Sequence, residues 1–456
     1  MILLKKIKIE LWILCLAGLI SFLLAIGTGI LVRQELVSST KFGVFSKAAL
    51  FLAEIPSNLK DIYRGQTFEL KIPIQRFPNI SGFQGKPLEE ETYLLLSKYD
   101  GNTESSVVEL VDLRSFEVKK TWSPDIDQIN NFVDTSLPEF ENLHRDRNDR
   151  RYMITHPFLT KDGGLIFKSS SPLVKIDKHS QLVWQNQEDA FHHSIEQDHE
   201  GNFWVPTYVY PYQFDKRYFG SQWGAFKDDA ITKVSADGEI LFQKSVSNIL
   251  IENKLKFLLF PSPWFYSGDP IHLNDIQPVL TDGPYWKTGD LFLSARNQSM
   301  IILYRPSTNK ILWKGGQGHI SAQHDVDILD DNRISIFNNN AIRSIDVVKN
   351  VEIDGNNEVV IYDFKTDSYS KYLNESLIQY DVKTVSAGRS QILVNNDLFI
   401  EEQNYGRLLY FNKDESLQWQ YVNRGEDGNV YQVSWSRILY KPEDIKKVHK
   451  ILELGN

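Results

Sequence analysis

After about residue 90 the chain repeats one unit six times: a short apolar strand, a polar turn, a second strand, and an apolar residue or tryptophan that closes it. The copies run Tyr93–Trp122, Leu165–Trp184, Phe203–Phe242 (with an insertion), Leu291–Trp313, Ile334–Tyr362 and Leu398–Trp419. They recur about every 50–70 residues, the spacing of propeller blades. Asp-Gly, Asn-Gly and Asp-Asn turns break the strands, and helical periodicity is scarce. A propeller closes its sheets radially and leaves few open edges. Two unrelated β-sandwiches would not need the same turn and tryptophan six times. The fold expected is therefore all-β, a six-bladed β-propeller over 91–440, behind an N-terminal transmembrane helix.

Composition removes several classes of function. Hydrophobic residues at 42% and charged residues at 24% exclude global disorder. The only cysteine, Cys15, lies in the apolar N-terminal run, so the body holds no disulfide framework, thiolate metal cluster or cysteine nucleophile. A net charge of −9 argues against a general affinity for nucleic acid.

No charge interrupts 11–32, which as a helix spans about 33 Å, enough to cross a bilayer. Lys5, Lys6 and Lys8 precede it and place residues 1–10 in the cytoplasm, with everything after Arg33 outside: the periplasmic side of the inner membrane in a Gram-negative cell. A cleaved signal peptide fits less well, because the run is long and no small-x-small site follows. Trp12, Ile13 and Leu14 also lack the small residue that a lipidated Cys15 would require. Residues 33–90 read as a juxtamembrane helix and a lead-in. Within them Lys41–Ile55 is either packed on the domain or amphipathic on the membrane surface, and IPIQRFPNI is an extra strand layer or the approach to the first blade. Residues 441–456 form a polar tail or short helix.

Chemistry is expected where the repeats begin. The segment before each repeat should lead into the strand nearest the axis, and four such segments carry histidine: His156, His192 with His193, His272 and His324. Equivalent positions of different blades converge at the channel mouth. A lone histidine there is more often a structural hydrogen-bonder, which is the reading for His156, and more strongly for His199 and His319 in turns. His272 with Asn274, and His324 beside Gln323 and Asp325, combine a nucleophilic imidazole with donors and a carboxylate able to set its tautomer. Arg296, early in a strand expected to be buried, calls for an anionic partner, either a carboxylate or a ligand. RDRNDRR at Arg145–Arg151 reads as a solvated loop.

At these residues the sequence resembles the bacterial arylsulfate sulfotransferases, six-bladed propellers of the cell envelope. The passages are HHSIEQDHEGNFWV, HLNDIQPV with GDLFLSARNQSMI, GHISAQHDVDILDDNRISIFNNN, and EEQNYGRLLYF with SWSRILY, in order across most of 90–440. The resemblance implies that a sulfuryl group passes from an aryl sulfate donor to a phenolic acceptor through a transient sulfohistidine, without a nucleotide sulfate donor and without a cofactor. It implies His324 as nucleophile, with His272, Asn274 and Arg296 holding the sulfuryl oxygens. One of His192 and His193 assists, register favouring His193, and Arg437 matches a further arginine near the site. Loops shorter than in that family, the uncleaved anchor and the missing cysteine pair are departures. The shorter loops bear on the aryl-binding pocket and hence on the acceptor class, not on the sulfuryl-handling residues.

The charge logic agrees: sulfuryl transfer builds negative charge that cationic donors stabilise, and an arginine offers a planar fork to two oxygens. A non-catalytic, membrane-anchored binding module is the alternative reading. A metal site of His192, His193, His272 and His324 is disfavoured by the arginine among them. A quinone-dependent dehydrogenase is disfavoured too, since no cofactor-stacking or calcium-ligand pattern is seen.

Overall fold

The computed structural model describes residues 10–36, 42–63, 70–72, 76–135, 140, 143–169, 172–209, 226–260, 267–344 and 351–453. Lys5, Lys6, Lys8, Lys41 and residues 73–75 of IPIQRFPNI lie outside them. The N-terminal part holds a helix Leu11–Leu36, apolar over Leu11–Gln34 and long enough to cross a membrane, and a helix Val44–Tyr63.

The body is a six-bladed β-propeller. Blade two is Thr155–Leu159, Leu165–Lys168, Leu173–Ile176 and Leu182–Asn186, counted outward from the axis. Blade four is Leu273–Pro278, Leu291–Ala295, Met300–Arg305 and Lys310–Gly315. In blade three the innermost strand is split into Ala190–Phe191 and Glu196–Gln197, both paired with Phe203–Tyr208, and Asp229–Val234 and Ile240–Ser245 follow. His192 and His193 occupy the interruption.

Blade five is Val326–Ile328, Arg333–Asn338, Glu358–Asp363 and Ser368–Lys371, with a hairpin of Ala341–Arg343 and Val351–Ile353 inserted. Its unit thus runs past Tyr362, and Tyr369 lies on the outermost strand. Blade six is Arg389–Ile392, Leu398–Glu402, Arg407–Phe411 and Leu417–Val422.

Both ends of the ring are closed by exchange. Arg437–Leu439 supplies the innermost strand of blade one, beside Tyr93–Asp100, Ser105–Asp112 and Glu117–Trp122. Gly82–Gly85, from the lead-in, adds a fifth strand to blade six. The residues after Lys441 form a helix, Pro442–Glu453, whose Val448 and Ile451 are buried with the blade-one and blade-two core.

The repeated tryptophans have a physical reason. Trp122 is buried and its indole N–H donates to Gly163 O at 3.0 Å, while Trp184 donates to Ala236 O at 3.1 Å. Each ties an outer strand to a turn of the next blade. Apolar side chains from facing sheets fill the space between blades, so the cores lie around the axis and leave the axis itself to polar groups.

Candidate functional site

The innermost strands run the same way down the axis, so their first residues meet at one mouth. In each blade the backbone turns into the strand through a left-handed residue. These are His156 (φ 51°), His193 (54°), His272 (52°), Ala322 (54°), Trp435 (54°) and Gly388 (103°). Non-glycine residues rarely adopt this conformation, and histidine tolerates it better than most.

Three residues later, three of these strands bind their neighbours through a side chain. Asp275 Oδ2 accepts from Val326 N (3.1 Å), Asp325 Oδ2 from Ser390 N (3.2 Å) and Gln391 Oε1 from Ile438 N (3.1 Å). Glu401 completes the belt by accepting from Trp435 N and Ser436 N at 2.6 and 2.7 Å.

This register separates two histidines that the sequence made look equivalent. His272 heads its strand, whereas His324 lies two residues past Ala322, at the position Asn274 holds in blade four. Asp325 is spent on the belt and does not hold the His324 ring. That task falls to Asn339, whose Oδ1 lies 2.7 Å from His324 Nδ1. Asn339 Nδ2 donates to Thr384 O (2.8 Å) and Ala387 O (2.9 Å), which fixes the amide with its oxygen toward the ring. His324 Nδ1 therefore carries the proton and Nε2 the lone pair. Burial, then the charge of Arg296, push its pKa down to about 3.

His193 is the hub of the mouth. Its ring centroid lies 4.9 Å from both His192 and His272, and 6.3 Å from both His324 and His156. Its Nδ1 is 2.7 Å from His192 Nδ1. His192 stacks on Tyr208 at 4.0 Å, and its Nε2 lies 3.3 Å from Asp229 Oδ1, off the line of a good hydrogen bond. His272 Nδ1 bonds Asp269 Oδ2 at 2.6 Å. Burial raises the Asp269 pKa, but the His272 hydrogen bond and charge outweigh it and hold the carboxyl below its usual range. His156 stacks on Trp435 at 4.2 Å; burial, then nearby Lys168, hold it well below an ordinary histidine.

Arg296 is not in a strand but in the single helical turn after Leu291–Ala295. Its described hydrogen bond runs from Nε to Asn297 Oδ1 (3.1 Å), and no described carboxylate pairs with it. Burial lowers its pKa, with the charge of Asp269 the largest opposing influence. Asn274 is fully buried: Nδ2 donates to Gln323 O at 2.9 Å, while Oδ1 has no partner among the described residues.

Arg437 sits differently. Its fork holds Glu196 at 2.7 and 3.1 Å and donates to Ile195 O at 2.9 Å, bridging blade one to blade three across the axis. Beneath the mouth Arg389, stacked against Trp435, lies 3.6 Å from Asp325 and 3.7 Å from Asp327. Asn339, Asp269, Asp229, Arg389 and the buried Lys168 are residues the sequence did not single out. Except for Asp269, three residues before His272, their partners lie on other strands or blades, and only the FNNN run hinted at Asn339. His199 and His319 are not part of the mouth cluster; His319 stacks on Tyr369 at 3.9 Å. Among the described residues no three His, Cys, Asp or Glu side chains are arranged to hold a metal ion.

The family model described as Arylsulfotransferase (ASST) matches residues 156–424, well over half of the chain and all of the mouth except Trp435. No curated protein matches. Solved structures similar to it include a protein of unknown function from Bacteroides caccae, at 12% identity and TM-score 0.44, covering 76% of this chain and 98% of that one. A streptogramin B lyase has 12% identity and TM-score 0.37, covering 81% and 96%. TolB from Acinetobacter baumannii has 10% identity and TM-score 0.42, covering 76% and 66%.

Proposed function

Because the chain belongs to the arylsulfotransferase (ASST) family, we propose that its propeller mouth moves a sulfuryl group from an aryl sulfate to a phenolic acceptor, with His324 as the nucleophile. The observation that carries this reading is the state of His324: Nδ1 is bonded to a rigidly held amide, and Nε2 keeps its lone pair near the guanidinium of Arg296, which pairs with no carboxylate among the described residues. A neutral imidazole is a competent nucleophile without a separate base.

In the donor half-reaction the Nε2 lone pair forms an N–S bond while the aryl O–S bond breaks and the aryloxide leaves. The Arg296 fork faces two sulfuryl oxygens. His272, its ring oriented by the hydrogen bond between Nδ1 and Asp269, is assigned to hold a sulfuryl oxygen. Asn274, tied to the Gln323 backbone, has one N–H left for the same group. In the acceptor half-reaction a phenol oxygen attacks sulfur and the N–S bond breaks. Arg437, engaged by Glu196, is assigned here to holding the ring together and not to substrate.

The apolar helix Leu11–Gln34 is assigned as an uncleaved anchor, and Lys5, Lys6 and Lys8 support a propeller outside the cytoplasm. Incubation with 4-nitrophenyl sulfate tests the reaction: nitrophenolate release should become continuous only when a phenol is added. Absence of turnover with any aryl sulfate would overturn it in favour of a binding module.

A further inference from the structure

The adjacent histidines His192 and His193 raise a question of proton traffic that the sulfuryl-handling residues leave open. A phenol is a poor nucleophile until its proton is removed, and the free aryloxide of a weakly acidic phenol is a poor leaving group. His324 cannot serve, because its lone pair is committed to sulfur.

Three observations converge on the pair. His192 and His193 face each other Nδ1 to Nδ1 at 2.7 Å, a distance at which one of the two must donate. On the far side, His192 Nε2 lies 3.3 Å from Asp229 Oδ1. Asp229 is fully buried and immobilised by accepting from both His272 N and Leu273 N, each at 3.1 Å. Although the contact is too far off line for a good hydrogen bond, a ring lone pair facing a carboxylate oxygen at 3.3 Å would be repelled. The proton therefore sits on His192 Nε2, His192 Nδ1 accepts and His193 Nδ1 donates. His193 Nε2 is then the ring nitrogen with a free lone pair, at the hub of the histidine cluster and without a protein partner among the described residues.

We propose that Asp229, His192 and His193 form a proton relay, in which His193 Nε2 takes the proton of the acceptor phenol and returns it to the next leaving aryloxide. This rests on the sulfuryl-transfer reading above. In the acceptor half-reaction the phenol O–H bond breaks toward His193 Nε2 as its oxygen attacks sulfur and the His324 N–S bond breaks. His193 becomes an imidazolium whose charge is shared through His192 with Asp229. In the next donor half-reaction that proton goes to the departing aryloxide, and both imidazoles end neutral. His193 is then a catalytic residue, while His192 and Asp229 are positioning residues. Burial holds His193 neutral at rest, so its lone pair is available to the phenol.

The test is a series of phenolic acceptors of rising pKa, from one ionised at the assay pH to phenol itself, used after loading the full chain with 4-nitrophenyl sulfate. With an ionised acceptor no proton needs removing. His193→Gln should therefore lose about 10²–10⁴-fold with phenol, the usual worth of a general base, and under tenfold with the ionised acceptor. His192→Phe should show the same tilt to a smaller degree, and His192→Asn, which restores an acceptor for His193 Nδ1, should recover part of it. Equal losses across the series would overturn the relay while leaving sulfuryl transfer intact. A parent protein that releases no nitrophenolate on loading would overturn both.

Discussion

The mouth of the propeller and the channel beneath it are built from similar residue types, yet their charges are treated in opposite ways. In the channel the arginines are answered by carboxylates: Arg437 holds Glu196 at 2.7 Å, and Arg389 lies between Asp325 and Asp327. At the mouth Arg296 bonds the side-chain oxygen of Asn297 and pairs with no carboxylate among the described residues, and buried imidazoles are kept neutral. Paired charges stabilise a fold and bind nothing further. A guanidinium held without a carboxylate is costly to the fold and ready for an anion. The difference separates structure from chemistry among arginines that look alike in sequence.

Exchanging the two kinds of arginine breaks this comparison most strongly. Arg296→Ala is expected to lower kcat/KM for 4-nitrophenyl sulfate by about 10²–10³, the usual cost of one transition-state donor, with the thermal midpoint little changed. Arg437→Met should instead cost about 3 kcal/mol of stability, since it strands Glu196 in a site where both side chains are only 14% exposed. Adding Glu196→Gln to Arg437→Met should recover much of that loss, as differential scanning calorimetry would show. If Arg296→Ala is the destabilising change and Arg437→Met the inactivating one, the assignment of roles is wrong.

A smaller effect is expected at Asn339. Asn339→Leu removes the acceptor that fixes the His324 tautomer and leaves Thr384 O and Ala387 O without their donor. The loss should be about 1–2 kcal/mol of stability, with roughly tenfold slower loading of His324 in a stopped-flow burst.

The smallest effects are those of pH. With its pKa pushed down to about 3, His324 stays neutral between about pH 5 and 8, so donor kcat/KM should show no acid limb near the ordinary histidine value of about 6.5. For stability the two regions oppose each other. His156, His192, His193 and His324 all titrate lower in the fold than in the unfolded chain, chiefly through burial. Their contribution is full above about pH 6.5 and is lost as pH falls. Burial, then Glu196, raise Asp275 to about 8, and burial with Asp327 raises Asp325. That contribution is full below about pH 3.9 and is lost as pH rises toward the folded value. His156→Phe should flatten the acid side of a plot of thermal midpoint against pH, and Asp275→Asn the alkaline side.

The blades were legible because each carries the same local chemistry: an apolar strand, a tight polar turn and a closing aromatic. The gathering of His193, His272 and His324 was foreseeable once six blades were counted, since strand heads must meet at the mouth. What could not be read is side-chain pairing across blades. Glu196 is 241 residues from Arg437, and nothing local announces their contact. The two-residue offset between His272 and His324 was hidden because Ala322, the true counterpart of His272, carries no chemical signal. Asp325 was misjudged as the partner of His324 for the same reason: adjacency in sequence pointed to it, while the strand pairing turned it to the backbone of blade six.

The central claim is that His324 carries the sulfuryl group. Rapid mixing of the protein with 4-nitrophenyl sulfate in the absence of a phenol, followed by neutral quench and peptide mass spectrometry, reads this directly. The account predicts the mass increase of one sulfuryl group on the peptide containing His324, removed when phenol is added and absent in His324→Ala. An enzyme that turns over the donor with His324 unmodified throughout, or with the adduct on another residue, would contradict it.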